Sequence, residues 1–139
     1  MPYGVFSAQK RVPFVTLPLV RTGVDLVSVA RLQHLLAVVG EPFSRKTWTT
    51  QEVTDCAGRT ESLAARWAAK EATLKALGAG VGEIPMTDIE IYSQQSGAPE
   101  LALSGRAAAA GRDAGLNCWS VSLSHDSGLA IAFVIGLGA

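Results

Sequence analysis

Charge is scarce in this chain. Its 139 residues carry 12 Lys and Arg against 12 Asp and Glu, so the formal net charge is zero and only 17% of residues are charged. A general nucleic-acid or membrane-surface binder carries a basic excess or stripe, which excludes that class for the chain as a whole but leaves room for a local patch. Cysteine is scarce too. Cys56 and Cys118 lie far apart and lack metal-ligand spacing. That excludes a disulfide scaffold or zinc module and fits two unpaired thiols in a reduced, cytosolic setting. Long apolar runs are missing: nothing approaches the roughly 18 residues of a membrane span. The stretch Val12 to Val20 follows Lys10 and Arg11, is broken by Pro13 and Pro18, and has no clear small-residue cleavage site. Residues 1–19 are therefore read as an N-terminal extension, a flexible or tag-like leader, rather than a secretory signal. What is plentiful is apolar content, 48% of the chain, enough for one domain over residues 20–139.

Turn and cap signals divide that domain into short elements. Val20 to Val27 reads as a strand. Ser28 caps a helix that turns Val29, Leu32, Leu35, Leu36 and Val39 inward and stops at Gly40. Pro42 opens a loop. Thr49-x-x-Glu52 is a capping-box pattern for a helix over 50–57. Thr60 caps a long central helix that ends at Gly78, followed by a glycine-rich loop to Pro85. Asp88 to Tyr92 and Glu100 to Leu103 read as paired strands around the turn Ser96-Gly97-Ala98-Pro99. Ser104 caps an alanine-rich helix ending near Gly115. Cys118 to Ser124 alternates strictly, with Trp119, Val121 and Leu123 on one side and serines on the other. A tight turn at Asp126-Ser127-Gly128 leads to a last buried strand, Leu129 to Ile135. Strands at both ends with helices between predict an α+β domain with a central antiparallel sheet and a long central helix.

The central helix carries the odd chemistry. At about 100° per residue, Leu63, Trp67, Lys70, Leu74 and Leu77 share one broad face, so a lysine sits in an apolar stripe. Arg66 and Lys70 are four residues apart, a like-charge spacing that costs roughly 0.2–0.5 kcal/mol in an isolated helix. An anion lying across them would remove that cost. A neighbouring strip of Ala64, Ala68, Glu71 and Lys75 leaves room for something to lie against the helix. Glu71 and Lys75 read either as the favoured i,i+4 ion pair or as a metal ligand beside a phosphate-binding ammonium. Asp25, flanked by Val24, Leu26 and Val27, is either an exposed or capping residue or a hard-cation ligand, since Mg²⁺ takes one or two carboxylates plus water and phosphate oxygens. His125, at a strand end, either closes a turn or touches a phosphate or ribose. Arg31 is a solvated helix charge or a contact for an acidic partner. Gly80 and Gly82 match neither the phosphate-loop nor the dinucleotide pattern, and no nucleophile elbow or zinc spacing is apparent.

Four segments together resemble one family. They are Gly23-Val24-Asp25-Leu26-Val27 with Arg31, Phe43 with Trp48-Thr49-x-x-Glu52, Arg66-Trp67-Ala68-Ala69-Lys70-Glu71-Ala72 with Lys75, and Val121-Ser122-Leu123-Ser124-His125. In this order they resemble the holo-(acyl-carrier-protein) synthases, small phosphopantetheinyl transferases, from about residue 20 onward. The resemblance implies that the 4′-phosphopantetheine arm of coenzyme A passes to a serine of an apo acyl-carrier protein, releasing 3′,5′-ADP. It implies a homotrimer with sites shared between neighbours. It also implies Mg²⁺ held by Asp25 and Glu71, Lys75 on the same phosphates, Arg66 and His125 as contacts for coenzyme A, and Lys70 as either a structural residue or a phosphate contact in the coenzyme A site. Glu71 or a water activated by the cation would take the serine proton, and Arg31 would face the acidic helix of the carrier. The alternative is a non-catalytic carrier-docking domain of the same fold, which the presence of both carboxylates argues against. A metal-dependent phosphoesterase would carry a denser His/Asp cluster.

Overall fold

The computed structural model describes residues 18–80 and 82–138, so the leader assigned to 1–19 lies almost wholly outside the described residues. Strand β1 (Leu19–Ser28) leads into helices α1 (Val29–Val38), α2 (Glu41–Thr47), α3 (Thr50–Cys56) and the long α4 (Thr60–Leu77). A 3₁₀ turn (Met86–Asp88) precedes the hairpin β2 (Ile89–Ser93) and β3 (Pro99–Leu103). Helix α5 (Gly105–Asp113) and strands β4 (Cys118–Asp126) and β5 (Leu129–Gly138) complete it. The architecture is α+β. Instead of one central sheet there are two antiparallel pieces, a three-stranded sheet in the order β1-β5-β4 and the separate β2-β3 hairpin. Among the described residues no helix is long and apolar enough to cross a membrane.

Local sequence explains most of the boundaries. Ser28 caps α1 by accepting from the Arg31 N–H, and Thr49 and Glu52 form both halves of the capping box of α3. Gly78 closes α4 with φ 68°, a left-handed conformation that glycine adopts at no steric cost. Several expectations fail: Val39 is 47% exposed rather than turned inward, and Ser104 stands at the N-cap of α5 without a side-chain cap bond. Pro42 does not open a loop but sits in the first turn of α2, where its missing N–H would have no partner anyway. The N-cap of α4 is Arg59, not Thr60, and it makes no side-chain cap bond.

Helix α4 packs between the three-stranded sheet on one side and α1, α3 and β2 on the other. Its alanines make this possible. Ala64, Ala68, Ala69 and Ala72 are fully buried, and on β5 Ala130, Ala132 and Val134 are too. The alanine half of the strip that seemed to leave room for a ligand is thus filled by the sheet itself, while Glu71 and Lys75 are not covered. Contact is closest at Gly23 of β1, where a Cβ would stand 1.7 Å from the Ala72 carbonyl oxygen. The opposite face of the sheet is bare and apolar, with Val20, Val24 and Leu26 of β1 beside Leu129, Ile131 and Phe133 of β5, each at least 40% exposed.

The hairpin meets α4 differently. Bonds from Ser104 to Asp88 and from Gln94 to Ala98 turn the even-numbered backbone groups of β2 toward β3. Its other edge faces α3 and α4 and, among the described residues, has no strand to pair. Side chains pair it instead: Lys70 donates to the Ile89 carbonyl at 2.6 Å, Glu52 accepts from the Ile91 N–H at 3.4 Å, and Arg66 donates to the Ile91 carbonyl at 3.2 Å. An unpaired edge is a liability in any sheet, and here three charged residues close it. Phe43 packs edge-on against both Trp48 and Trp67, and the Trp48 indole N–H donates to the Leu63 carbonyl at 3.1 Å, tying the α2–α3 turn to α4.

The close approach at Gly23 generates a prediction. Gly23→Ala forces β1 away from α4 and should lower stability by about 1–3 kcal/mol, the cost of overpacking a filled core. Urea denaturation measures it, and an unchanged midpoint would contradict the packing described.

Candidate active site

Asp25 follows Gly23 by two residues on the same side of β1, so the close approach that requires glycine also carries the carboxylate to α4. Asp25 and Glu71 line one cavity of about 210 Å³ with Val27, Ser28, Arg31 and Trp67. Asp25 is 22% exposed and faces the helix, not the open face of the sheet. Glu71 also lines a larger cavity of about 480 Å³, with Arg45, Lys46, Leu74, Ile84, Pro85 and Met86. It therefore stands at the boundary between a small polar cavity and a mostly apolar one.

Lys75 does not pair with Glu71 at i,i+4. Its ammonium donates to the Val24 carbonyl at 2.7 Å and to Asp25 Oδ1 at 3.1 Å. The chain thus brings Asp25, Glu71 and Lys75 together across 50 positions. Burial pushes the Glu71 carboxyl above its usual range, the Asp25 charge pushes it further, and Lys75 only partly opposes them. A cation between the two carboxylates would relieve that repulsion. Among the described residues no group of three or more His, Cys, Asp and Glu side chains is placed to hold a metal. The donor set fits a hard ion that takes two carboxylates and completes its shell with water and substrate oxygens.

The expectation for Lys70 is corrected. Its side chain is fully buried, and its ammonium donates to Glu52 at 2.5 Å, to the Met86 carbonyl at 3.0 Å and to the Ile89 carbonyl at 2.6 Å. All three donors are used inside the protein, so none can reach a phosphate. Burial pulls its pKa down while the Glu52 carboxylate pulls it back. The anion that removes the Arg66–Lys70 conflict is Glu52, not a ligand.

Arg66 is 7% exposed. It donates to the Ile91 carbonyl and to Ser93 Oγ, which leaves part of its donor fork for the surface. That fork and His125 line a third cavity, about 300 Å³, with Asp55, Arg59, Ser62 and Ser93. So the structure does bring Arg66 and His125 together, but apart from Glu71. Five residues separate Arg66 from Glu71, which is about 140° around a helix, and their cavities share no lining residue.

Sequence reasoning missed several of these neighbours. Arg59 and Ser62 precede Arg66 by seven and four residues, and that helical spacing was the available signal. Glu52 was read only as a cap. Arg45 and Lys46 carried no signal, because nothing local says that the end of α2 reaches Glu71.

Comparison with known proteins fits this geometry. The family model of the 4′-phosphopantetheinyl transferase superfamily matches residues 21–134. The holo-[acyl-carrier-protein] synthase of Herpetosiphon aurantiacus is 43% identical over 124 residues, covering 84% of this chain and 98% of that protein. The crystal structure of Helicobacter pylori holo-[acyl-carrier-protein] synthase in complex with coenzyme A superposes with a TM-score of 0.75 at 33% identity, covering 83% of this chain and 98% of that one. That of the Bacillus anthracis enzyme in complex with CoA (3′,5′-ADP) gives 0.72 at 29%, covering 88% and 100%. With the family model matching most of its length and a relative this similar over nearly all of its own, the chain belongs to the 4′-phosphopantetheinyl transferase superfamily.

Proposed function

We propose that this chain transfers the 4′-phosphopantetheine arm of coenzyme A to a serine hydroxyl of an apo acyl-carrier protein, giving holo carrier and 3′,5′-ADP. The observation that carries the reading is the meeting of Asp25 and Glu71 at one cavity, with Lys75 bonded to Asp25, in a chain so similar to holo-[acyl-carrier-protein] synthases. The serine oxygen forms a bond to the phosphorus that bears the arm, and the bond from that phosphorus to the leaving 3′,5′-ADP breaks. Such a step needs positioning and charge neutralisation more than covalent help from the enzyme. Mg²⁺ held by Asp25 and Glu71 would supply part of that neutralisation. Lys75 supplies the rest: more than half exposed, it can exchange its bond to Asp25 for a phosphate oxygen. Glu71, with its raised pKa, is the carboxylate best suited to take the serine proton.

The remaining residues find roles around that centre. The apolar wall of Leu74, Ile84, Pro85 and Met86 beside Glu71 offers the pantetheine arm a dry surface. Arg66 and His125 suit the 3′-phosphate. Exposed Arg31, on the rim of the Asp25 cavity, faces an acidic carrier helix. Because Arg66 and Glu71 point to opposite sides of α4, one coenzyme A reaches both kinds of residue most readily if it lies between two copies. The bare face of Val24, Leu26, Ile131 and Phe133 is an apolar patch of the sort that pairs with another subunit, which supports a homotrimer. The setting we infer is the cytoplasm, where coenzyme A and carriers meet.

Three outcomes test this reading. With coenzyme A, Mg²⁺ and an apo carrier, the wild type adds the arm to the carrier, as read by mass spectrometry, while Asp25→Ala and Glu71→Ala remain folded and inactive; normal turnover in either variant would remove the cation site. Mixing inactive Glu71→Ala and His125→Ala subunits restores part of the activity, because one interface in the mixed assembly keeps both residues; no recovery would contradict a shared site. The third concerns pH. Between the ordinary carboxylate pKa of 4.5 and its raised native value, Glu71 binds more protons in the folded than in the unfolded state, so stability falls as pH rises through that window. Without Mg²⁺, Glu71→Gln should therefore melt higher than the wild type at neutral pH and lose that advantage below the window. A variant that melts lower at neutral pH would contradict the burial and the Asp25 repulsion that together raise the Glu71 pKa.

A further inference from the structure

Lys70 and Glu52 touch neither cavity that holds Glu71, yet both are tied to the material those cavities are made of. Lys70 directly precedes Glu71 on α4. Its ammonium holds the carbonyls of Met86 and Ile89, and Met86, with Pro85 and Ile84, lines the same cavity as Glu71. Glu52 is fixed from three directions, by the N–H groups of Thr49 at 3.0 Å and Ile91 at 3.4 Å and by Lys70 at 2.5 Å. A continuous set of bonds thus runs from α3 through two buried charges to the wall opposite Glu71.

We propose that Glu52 and Lys70 are a positioning pair for the transfer reaction: they set the gap between Glu71 and the Ile84–Met86 wall, and so the fit of the coenzyme A arm, without touching substrate. The proposal rests on the transferase reading above. Its physical basis is that stability and placement are separable here. A buried ion pair can often be replaced by uncharged side chains of similar volume with little loss of stability, whereas removing one partner strands the other charge. Methionine at position 70, however, has no donor with which to hold the two backbone carbonyls that Lys70 holds. The carbonyls of Met86 and Ile89 then turn toward water or other donors, and the wall moves with them.

The test uses the full-length protein. Lys70→Met alone should melt far below the wild type, because Glu52 is left buried and unpaired. The double variant Lys70→Met/Glu52→Gln should recover most of that loss. In the double variant KM for coenzyme A should remain raised by roughly tenfold, the penalty expected for a misplaced substrate. Binding of 3′,5′-ADP, which lacks the arm, should stay near the wild-type value. Wild-type KM in the double variant, or an equal weakening of 3′,5′-ADP, would overturn the proposal. The wild type offers an arm that needs no variant. The amide hydrogens of Ile89 and Ile91 should exchange as slowly as those in the core of α4, and exchange through a fast local opening would overturn the proposal even if the double variant does not fold. An inactive wild type would overturn the transferase reading and this inference with it. An active wild type matched by its double variant overturns the inference alone.

Discussion

Everything at the site depends on how closely α4 lies on β1. No side chain separates Gly23 from the Ala72 carbonyl, and the alanines around that point let the helix settle onto β5 as well. Because Asp25 is two residues beyond Gly23 and Glu71 is next to Ala72, the contact that packs the core also sets two carboxylates against one cavity. Burial pushes the Glu71 carboxyl above its usual range, and the like charge of Asp25 pushes it further. The close contact at Gly23 and the buried alanines hold this arrangement in place.

Two groups of three charged residues flank α4. Glu52, Lys70 and Arg66 close the open edge of β2 and so fasten the hairpin to the helix. Asp25, Glu71 and Lys75 are left beside open space on the other side. In the first group Lys70 and Glu52 neutralise each other and are sealed from water. The second is only partly neutralised, since Lys75 serves Asp25 but not Glu71. That difference separates the Lys70–Glu52 pair, which builds the scaffold, from charges available to a substrate, although Lys70 and Glu71 are adjacent in sequence.

Local signals were legible and distant pairings were not. The capping box at Thr49, the stop at Gly78 and the alternation through Trp119, Val121 and Leu123 all follow from contacts within a few residues, and the structure has them where the sequence puts them. Pro42 was misread because proline is equally at home in a loop and in a first helical turn. Lys70 was misread for a different reason. A helical wheel shows that a lysine sits in an apolar stripe but not that Glu52, 18 positions earlier, arrives to meet it. Likewise Lys75 chose Asp25, 50 positions away, over the neighbour that spacing favoured. The position of Asp25 opposite Glu71 was accessible only through family resemblance, because no local rule links a strand residue to a helix so far along the chain.

The account turns on those two carboxylates sharing a cation beside the coenzyme A phosphates. The most direct measurement is a crystal of the protein grown with coenzyme A and Mn²⁺ in place of Mg²⁺, examined by anomalous diffraction. The account predicts one strong peak between the Asp25 and Glu71 carboxylates, within ligand distance of the pyrophosphate oxygens, with Lys75 turned from Asp25 toward the phosphates. Coenzyme A bound with no metal at that position, and Lys75 still paired with Asp25, would contradict it.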